Sequence, residues 1–418
     1  MKVLQVNCVY KKGSTGKITY DLHKGLLDAG IESVVCYGRG ERIKEPGVYK
    51  TCPELYSKLN NALSRVTGIM YGGCFFSTSQ LISIIKKEKP DIVHLQCING
   101  YFVNIYRLVI WLKKNKIKTV LTLHAEFMYT GGCAHSIECN QWSSSIGCGH
   151  PQCPRWHSAT KSIFFDRTGT MWKRMKKAFD GFENDLTVVS VSPWLMNRAK
   201  RSPILEKMHH CVIFNGLDTS VFHPYETADL RRELHCEGEK VVFQATPFFS
   251  ADPSHIKGGC YVLELAKKMP DVQFIVAGPY PSGIEVPENV MLLGKITDQA
   301  ALARLYSMAN VTLLTSKRET FSMVTAESLC CGTPVVGFKA GAPEEITIPE
   351  YSAFVEQENV DGLYQILNSK KFFDGIDIMD CSVRAQKLYS EKEQTLRYVT
   401  NYKRTLGRSS EELNENKR

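Results

Sequence analysis

Glu319 and Glu327 lie in the stretch SKRETFSMVTAESLCCGTPVV (316–336), with seven residues between them. A short apolar run just before them predicts a strand, and the residues from 322 onward predict a helix. A carboxylate accepts hydrogen bonds from two adjacent sugar hydroxyls, so this spacing suits one carboxylate for each sugar of a nucleotide-sugar. A solvated glutamate beside a helix-face glutamate is the alternative. Backbone N–H groups at a helix N-terminus bind anions or hydroxyls, and here they belong to Phe321, Ser322 and Met323.

One lysine and two glycines follow other predicted strands in the second half of the chain. Lys257 lies in SHIKGG (254–259), where a helix is predicted to begin. A cation at that point can neutralise a leaving diphosphate, although a solvated lysine at a helix start is the bland alternative. Gly278 and Gly294 end strands and leave room for a nucleotide base, and ordinary turn glycines fit those positions almost as well.

The first half of the chain offers a glycine-rich turn and a strand-end histidine. The turn GSTG follows the first predicted strand and leads into a helix, but it lacks the spacing of a Walker A sequence. It allows close backbone approach to an anion, and its residues are Gly13, Ser14, Thr15 and Gly16. His124 ends the run TVLTLH (119–124). Its side chain either faces the edge of the sheet where the strands end and a ligand can bind, or it is an ordinary core histidine.

Four of the 15 cysteines crowd into 21 residues, with the spacing C-x5-C-x8-C-x4-C. Thiolates in such a group favour tetrahedral zinc, but the close C-x2-C pairs of many zinc sites are missing. The alternatives are reduced thiols in a loop or redox bridges. The candidate structural-zinc ligands are Cys133, Cys139, Cys148 and Cys153.

The net charge of +9 on 418 residues favours anionic partners such as nucleotide diphosphates, lipid phosphates or an acidic membrane surface. No nucleic-acid-binding motif accompanies that charge, so nucleic acid is not expected as a partner. Residues 161–177 mix basic and large apolar side chains, which predicts either a helix lying on an anionic membrane or a helix packed on a sheet. Neither a signal peptide nor a membrane span is predicted, so a cytoplasmic location is expected.

Two series of apolar runs separated by helical patterns predict two parallel sheets, and thus an α/β chain of two Rossmann-like domains. Ligands of such sheets bind beyond the carboxyl ends of the strands, so the predicted site lies in a cleft between the domains. We predict an N-terminal domain over 1–222 with a cysteine-rich insertion at 127–160, a C-terminal domain over 223–388, and a helix with a polar, frayed tail over 389–418 that returns to the first domain. The predicted strands are 3–8, 33–38, 91–96, 119–124, 186–191 and 211–214, then 240–245, 272–278, 290–294, 311–315 and 334–338.

Taken together, these motifs resemble those of retaining family-4 glycosyltransferases of the GT-B fold. The stretch 316–336 matches their E-x7-E signature and G-x-P-V-V sequel, NGLDTSVFHP resembles their interdomain segment, and VSPWL resembles a first-domain turn. The resemblance implies that Glu319 holds the donor sugar, Glu327 the ribose, and the turn at 13–16 the donor diphosphate and acceptor. It also implies that His124, Glu319 and Lys257 are the catalytic residues. Glu126 takes the place of the family's usual acidic residue and is assigned to the acceptor and diphosphate loop.

Two departures from the family pattern affect the donor site. Ser322 stands where the family usually has glycine, and no arginine follows the strand at 240–245, so Lys257 would carry the diphosphate charge alone. The resemblance is strongest to bacterial enzymes of exopolysaccharide, capsule or O-antigen synthesis. It implies a retaining transfer of a hexose-type sugar from a nucleotide-sugar, without a catalytic metal, onto a saccharide or lipid-linked saccharide, with the enzyme at the inner face of the membrane. A nucleotide-sugar epimerase or hydrolase and a non-catalytic sugar-binding protein are the alternatives.

Overall fold

A computed structural model places the strands of the chain in two parallel sheets, one in each of two units. It describes residues 1–136 and 138–407. One unit comprises Met1–Phe214 together with the described residues from 394 onward, and the other comprises Asn215–Glu393. The predicted polar tail lies almost wholly outside the described residues. Within those residues, no helix is both long enough and apolar enough to cross a membrane.

The first unit contains a seven-stranded sheet in the order β3-β2-β1-β4-β5-β6-β7, with every pair parallel. Its central strands are buried along almost their whole length because helices cover both faces, and Val3, Leu4 and Val93 are fully buried. The strands are β1 (Lys2–Asn7), β2 (Glu32–Tyr37), β3 (Val48–Lys50), β4 (Ile92–Leu95), β5 (Thr119–Leu123), β6 (Leu186–Ser190) and β7 (His209–Val212).

The second unit contains a six-stranded parallel sheet in the order β10-β9-β8-β11-β12-β13. The order reverses between β8 and β11, which is the switch point where open parallel sheets bind ligands. The strands are β8 (Lys240–Ala245), β9 (Val272–Ala277), β10 (Val290–Gly294), β11 (Val311–Leu314), β12 (Val335–Phe338) and β13 (Ser352–Val355).

Helices connect the strands in both units, and short 3-10 turns lie at Glu126–Met128, Gln141–Ser143 and Pro349–Tyr351. In chain order the helices are α1 (Gly13–Asp28), α2 (Glu54–Thr67), α3 (Phe75–Glu88), α4 (Ile105–Lys114), α5 (Trp156–Thr160), α6 (Thr168–Phe179), α7 (Pro193–Lys200), α8 (Ala228–Glu233), α9 (Gly259–Lys268), α10 (Gln299–Met308), α11 (Met323–Cys330), α12 (Pro343–Ile346), α13 (Val360–Leu367), α14 (Lys370–Asp374), α15 (Ile378–Tyr389) and α16 (Glu391–Thr405).

The last helix, α16, completes the core of the first unit through buried aromatic side chains. Tyr398 and Tyr402 pack in one apolar cluster with residues of α1, β1, β4 and β5. Their hydroxyls also join a buried polar chain. Tyr402 bonds His94 Nδ1 at 2.8 Å, His94 Nε2 bonds Thr122 Oγ1 at 2.7 Å, and Thr122 bonds the Tyr398 hydroxyl at 2.9 Å. Every polar group in this series of hydrogen bonds has a partner, so the series stabilises the attachment of α16 to the sheet.

Acid should weaken the folded state through His94, whose pKa burial lowers to about 3. Between the ordinary value of 6.5 and about 3, the unfolded chain binds a proton that the folded chain does not, so stability is lost as the pH falls. We expect this group to remove about 1.4 kcal/mol of unfolding free energy per pH unit across that window. Urea denaturation of the wild type and His94→Gln over a pH series measures the difference in slope. Parallel slopes would contradict the assignment.

Candidate active site

The structure pairs two of the predicted donor-site residues directly. Lys257 Nζ lies 2.6 Å from Glu319 Oε1, and both side chains are only partly exposed. Lys257 belongs to the connection after β8, and Glu319 follows β11, so both lie beyond carboxyl ends of neighbouring central strands. The arrangement sets an ammonium and a carboxylate side by side at the sheet's switch point. A phosphate can bind the first group and sugar hydroxyls the second.

Residues that sequence reasoning missed hold the Lys257 loop in place. Thr315 Oγ1 donates to the backbone oxygen of Lys257 at 2.9 Å and accepts from Gln244 Nε2 at 2.8 Å. Gly258 has a φ of +63°, and a Cβ there would lie 2.3 Å from the backbone oxygen of Thr315. Only glycine therefore allows this close approach. The GG pair after Lys257 was the one sequence signal of this packing.

Glu327 is oriented by a buried tyrosine. Tyr306, on α10, donates its hydroxyl to Glu327 Oε2 at 2.9 Å. Burial, reinforced by the nearby carboxylate, holds the pKa of Tyr306 well above its ordinary value, so the phenol remains a donor. Tyr306 is thus a positioning residue for Glu327. No motif pointed to it, because it lies on another helix 21 positions away in the chain.

At the start of α11 the backbone, not the side chains, is what a ligand could meet. The Phe321 side chain is buried and packs edge-on against Tyr389, with ring centres 6.3 Å apart. Ser322 caps the helix: its hydroxyl oxygen accepts from the N–H of Thr325 at 3.2 Å and from the Thr325 hydroxyl at 2.9 Å. Met323 is the first helical residue.

Ser322 sits in a backbone conformation that favours glycine, with φ +83° and ψ +88°. This explains why glycine suits the position, and it makes serine there a source of strain. We expect Ser322→Gly to raise the unfolding free energy by about 0.5–1 kcal/mol, because relief of strain exceeds the few tenths lost with the cap. Ser322→Ala keeps the strain and loses the cap, so it should cost about 1 kcal/mol. Chemical denaturation of both variants tests this, and a stabilised alanine variant would contradict it.

The two glycines predicted beside the base bond each other. The N–H of Gly278 donates to the oxygen of Gly294 at 2.8 Å, so the ends of β9 and β10 are joined. A Cβ at Gly278 would lie 2.2 Å from the backbone oxygen of Thr246. Packing alone explains why position 278 is a glycine, and the left-handed φ of +73° explains why position 294 is one. Their role near a base stays a prediction.

In the first unit, the predicted turn at 13–16 forms the first turn of α1. No side chain caps that helix, whose N-cap residue is Lys12. Asn7 holds the loop from beneath, because its Nδ2 donates to the oxygens of Val9 and Thr15 at 2.7 and 3.1 Å. Gly13 and Ser14 are exposed, whereas Gly16 is buried against Val9. The uncapped N–H groups and exposed turn suit the predicted diphosphate or acceptor contact.

His124 follows β5 and is partly buried. Burial lowers its pKa to about 4, so the imidazole is neutral at physiological pH and can accept a proton or a hydrogen bond. Its catalytic role remains a prediction.

The structure gives Glu126 a buried structural position, where the sequence placed it in the acceptor loop. Its side chain is fully buried. It accepts from Arg198 Nε at 2.6 Å, from Ser136 N at 2.6 Å and Oγ at 2.9 Å, and from the Tyr129 hydroxyl at 3.0 Å. Arg198 in turn lies over the Trp142 ring. A carboxylate with these bonds anchors the insertion and is not available to a substrate.

The four cysteines of the predicted zinc site lie in the insertion of the first unit. Cys133, Cys148 and Cys153 are buried, and Cys139 is partly exposed. Hydrogen bonding with Cys133 lowers the pKa of Cys153 to about 6, and burial raises that of Cys148 to about 12. All the cysteines are free thiols. Outside positions 137 and 408–418, no group of three or more His, Cys, Asp or Glu side chains could hold a metal ion. Structural zinc at this cluster therefore stays a prediction, as do the alternatives of reduced thiols and redox bridges.

Two parallel, helix-covered sheets in separate units are the architecture of GT-B glycosyltransferases, and comparison with known proteins gives this class. The model for Glycosyltransferase Family 4 matches residues 15–221, and that for Glycosyl transferases group 1 matches residues 248–371. Together these two models match most of the chain, which therefore belongs to the glycosyltransferases that they describe. The resemblance, the fold class and the enzyme class predicted from the sequence are therefore confirmed.

One relative and several solved structures match the chain over nearly its whole length. The putative colanic acid biosynthesis glycosyl transferase WcaC of Escherichia coli K12 is 24% identical over 96% of this chain and 99% of that protein. Sucrose-phosphate synthase from Thermosynechococcus elongatus shares the fold with a TM-score of 0.66 and 16% identity, covering 98% and 100% of the two chains. HepE from Anabaena, solved with UDP-glucose, has a TM-score of 0.61 and 15% identity, covering 96% and 100%.

Proposed function

We propose that the chain is a retaining glycosyltransferase that moves a hexose-type sugar from a nucleotide-sugar to a saccharide or lipid-linked saccharide in cell-surface polysaccharide synthesis. The observation that carries this proposal is the 2.6 Å pair of Lys257 and Glu319 at the switch point of the second sheet. The kinship with WcaC supports the polysaccharide pathway, and the UDP-glucose bound to HepE supports a nucleotide-sugar donor.

In this proposal the donor replaces the internal ion pair with its own contacts. Its diphosphate forms an ion pair with the Lys257 ammonium, and the hydroxyls of its hexose donate hydrogen bonds to the Glu319 carboxylate. Glu327, oriented by Tyr306, accepts from the ribose hydroxyls. Each charged group therefore exchanges one partner for another and is never left unpaired, which keeps the cost of donor binding low.

The transfer step needs no group beyond the two substrates and these side chains. The bond between the anomeric carbon and the diphosphate oxygen breaks, and its electron pair stays on that oxygen, where Lys257 stabilises the charge. The acceptor hydroxyl enters from the same face, forms the new glycosidic bond, and passes its proton to the leaving phosphate oxygen. The anomeric configuration is retained because attack and departure share one face.

Thermal denaturation of the purified protein with a panel of nucleotides and nucleotide-sugars tests the proposal. A nucleoside diphosphate at 100 times its Kd should stabilise the protein by about 2.7 kcal/mol, and its sugar derivative should yield a glycoside product when an acceptor is added. NMR of that product should show the donor's anomeric configuration. An inverted product would overturn the retaining mechanism, and stabilisation by no nucleotide would overturn the transferase site. A parallel series with a zinc chelator tests the cysteine cluster: only a metal-bound cluster would lose stability.

A further inference from the structure

Helix α2 in the first unit exposes apolar side chains and buries polar ones, the reverse of what is expected for a helix that serves only the fold. Helices of soluble proteins normally bury their apolar stripe and expose polar residues. In α2 the buried residues are the two serines Ser57 and Ser64. The exposed stripe instead carries large apolar side chains at helical spacing: Leu55 at 80%, Leu59 at 54%, Leu63 at 52% and Val66 at 47% exposure.

Two further exposed apolar segments adjoin α2. Phe75 and Phe76 begin α3, and the ring of Phe76, which is 80% exposed, lies 5.9 Å from that of Tyr56 on α2. On the other side, Ile163 donates its N–H to the oxygen of Arg65 at 2.8 Å, which sets the exposed side chains of Phe164 and Phe165 beside the end of α2. The three segments form one apolar surface, larger than scattered exposed residues explain.

A cationic groove continues this surface beyond Phe75. It is a cavity of about 820 Å³ that Phe75 and Trp111 line together with cationic side chains. The described residues that line it include no carboxylate. Its cations are Lys86, Arg107, Lys114, Arg174 and Lys177. An apolar surface beside an unbalanced positive groove is complementary to a layer with an apolar interior and anionic headgroups.

We propose that α2, the Phe75–Phe76 turn and residues 163–165 dock the protein on an anionic lipid bilayer, with headgroup phosphates in the groove. The exposed leucines and phenylalanines enter the boundary between headgroups and acyl chains, and the groove supplies the electrostatic attraction. This relocates the membrane contact predicted from residues 161–177. Within that range Met171 and Trp172 are buried, so its apolar contribution comes from residues 163–165, whereas Arg174 and Lys177 contribute to the groove. The inference goes beyond the proposed transfer reaction and does not depend on which sugar is moved.

Co-sedimentation of the full-length protein with lipid vesicles tests the surface. We expect strong binding to vesicles of phosphatidylcholine and phosphatidylglycerol at roughly 7:3, little to phosphatidylcholine alone, and weakening as salt is added. Leu59→Gln combined with Leu63→Gln keeps a good helix former at each site and should lower the bound-to-free ratio by about tenfold or more. Lys114→Gln with Lys177→Gln should abolish the preference for anionic vesicles.

Met379→Gln with Val383→Gln is the matched control, because these residues are also four apart on an exposed helical face, at 61% and 45% exposure, but in the second unit. It should bind vesicles as the wild type does. Equal loss of vesicle binding in the control and in the α2 variant would overturn the proposal. So would a wild-type protein that does not bind vesicles, for example because a concentration-dependent dimer covers α2. Each variant is also assayed for stabilisation by the nucleotide that stabilises the wild type. Lost vesicle binding with that response intact separates this surface from the donor site.

Discussion

Glu319→Gln is expected to slow sugar transfer by roughly two to three orders of magnitude while leaving the fold intact. The amide keeps the shape of the side chain but removes the charge that faces Lys257 at 2.6 Å and, in the proposed complex, the sugar hydroxyls. Since both partners are partly exposed, losing the pair should change the unfolding free energy by no more than about 1 kcal/mol. Initial rates at saturating donor give kcat, and thermal denaturation reports the fold.

Glu356→Gln is a suitable control for this experiment. Glu356 also pairs with a lysine of the second unit, Lys339, but it lies on the exposed surface. Its kcat should match that of the wild type. If Glu319→Gln turned over as fast as this control, Glu319 would have no role in the reaction, and the pair with Lys257 would be structural only.

Arg198→Met is expected to cause a large loss of stability in the first unit. It would leave the fully buried Glu126 carboxylate without its cation, and breaking a buried pair in this way typically costs about 3–5 kcal/mol. The cation above the Trp142 ring would be lost as well. Urea denaturation followed by a probe in the first unit measures the change.

Lys118→Met provides the comparison, because Lys118 pairs with Asp185 at 2.9 Å in the same unit but at a partly exposed site. Its cost should stay within about 1 kcal/mol. Similar losses in both variants would show that the Glu126 site is more solvated than its burial indicates. Recovery of stability in Arg198→Met with Glu126→Gln would locate the penalty in the unpaired charge.

The sheets were predictable from the sequence because their central strands are buried on both faces. Runs such as KVVFQA (240–245) and DIVHLQ (91–96) contain consecutive apolar residues, and β8 and β4 lie within them. The edge strands β3 and β13 were missed. Each is short, and VYK (48–50) and SAFV (352–355) carry too little periodicity to stand out from loops.

The site was predictable residue by residue but not as a set of contacts. Glu319 and Lys257 follow strands with recognisable patterns, yet their pairing joins positions 62 apart in the chain. Tyr306 and Thr315 carry no motif, since their roles arise from packing alone. Glu126 was assigned to the substrate because its partner Arg198 lies 72 positions away and only the fold brings them together.

The return of α16 to the first unit has a consequence for how the protein is made. Tyr398 and Tyr402 fill a core whose other walls are built from the first half of the chain. During synthesis the ribosome releases the second unit's whole sheet before it releases this helix, so the second unit can finish folding while the first still lacks part of its interior. A nascent chain whose residues up to about 393 have left the ribosome, but whose α16 has not, should therefore carry one closed unit and one that exposes apolar surface to chaperones.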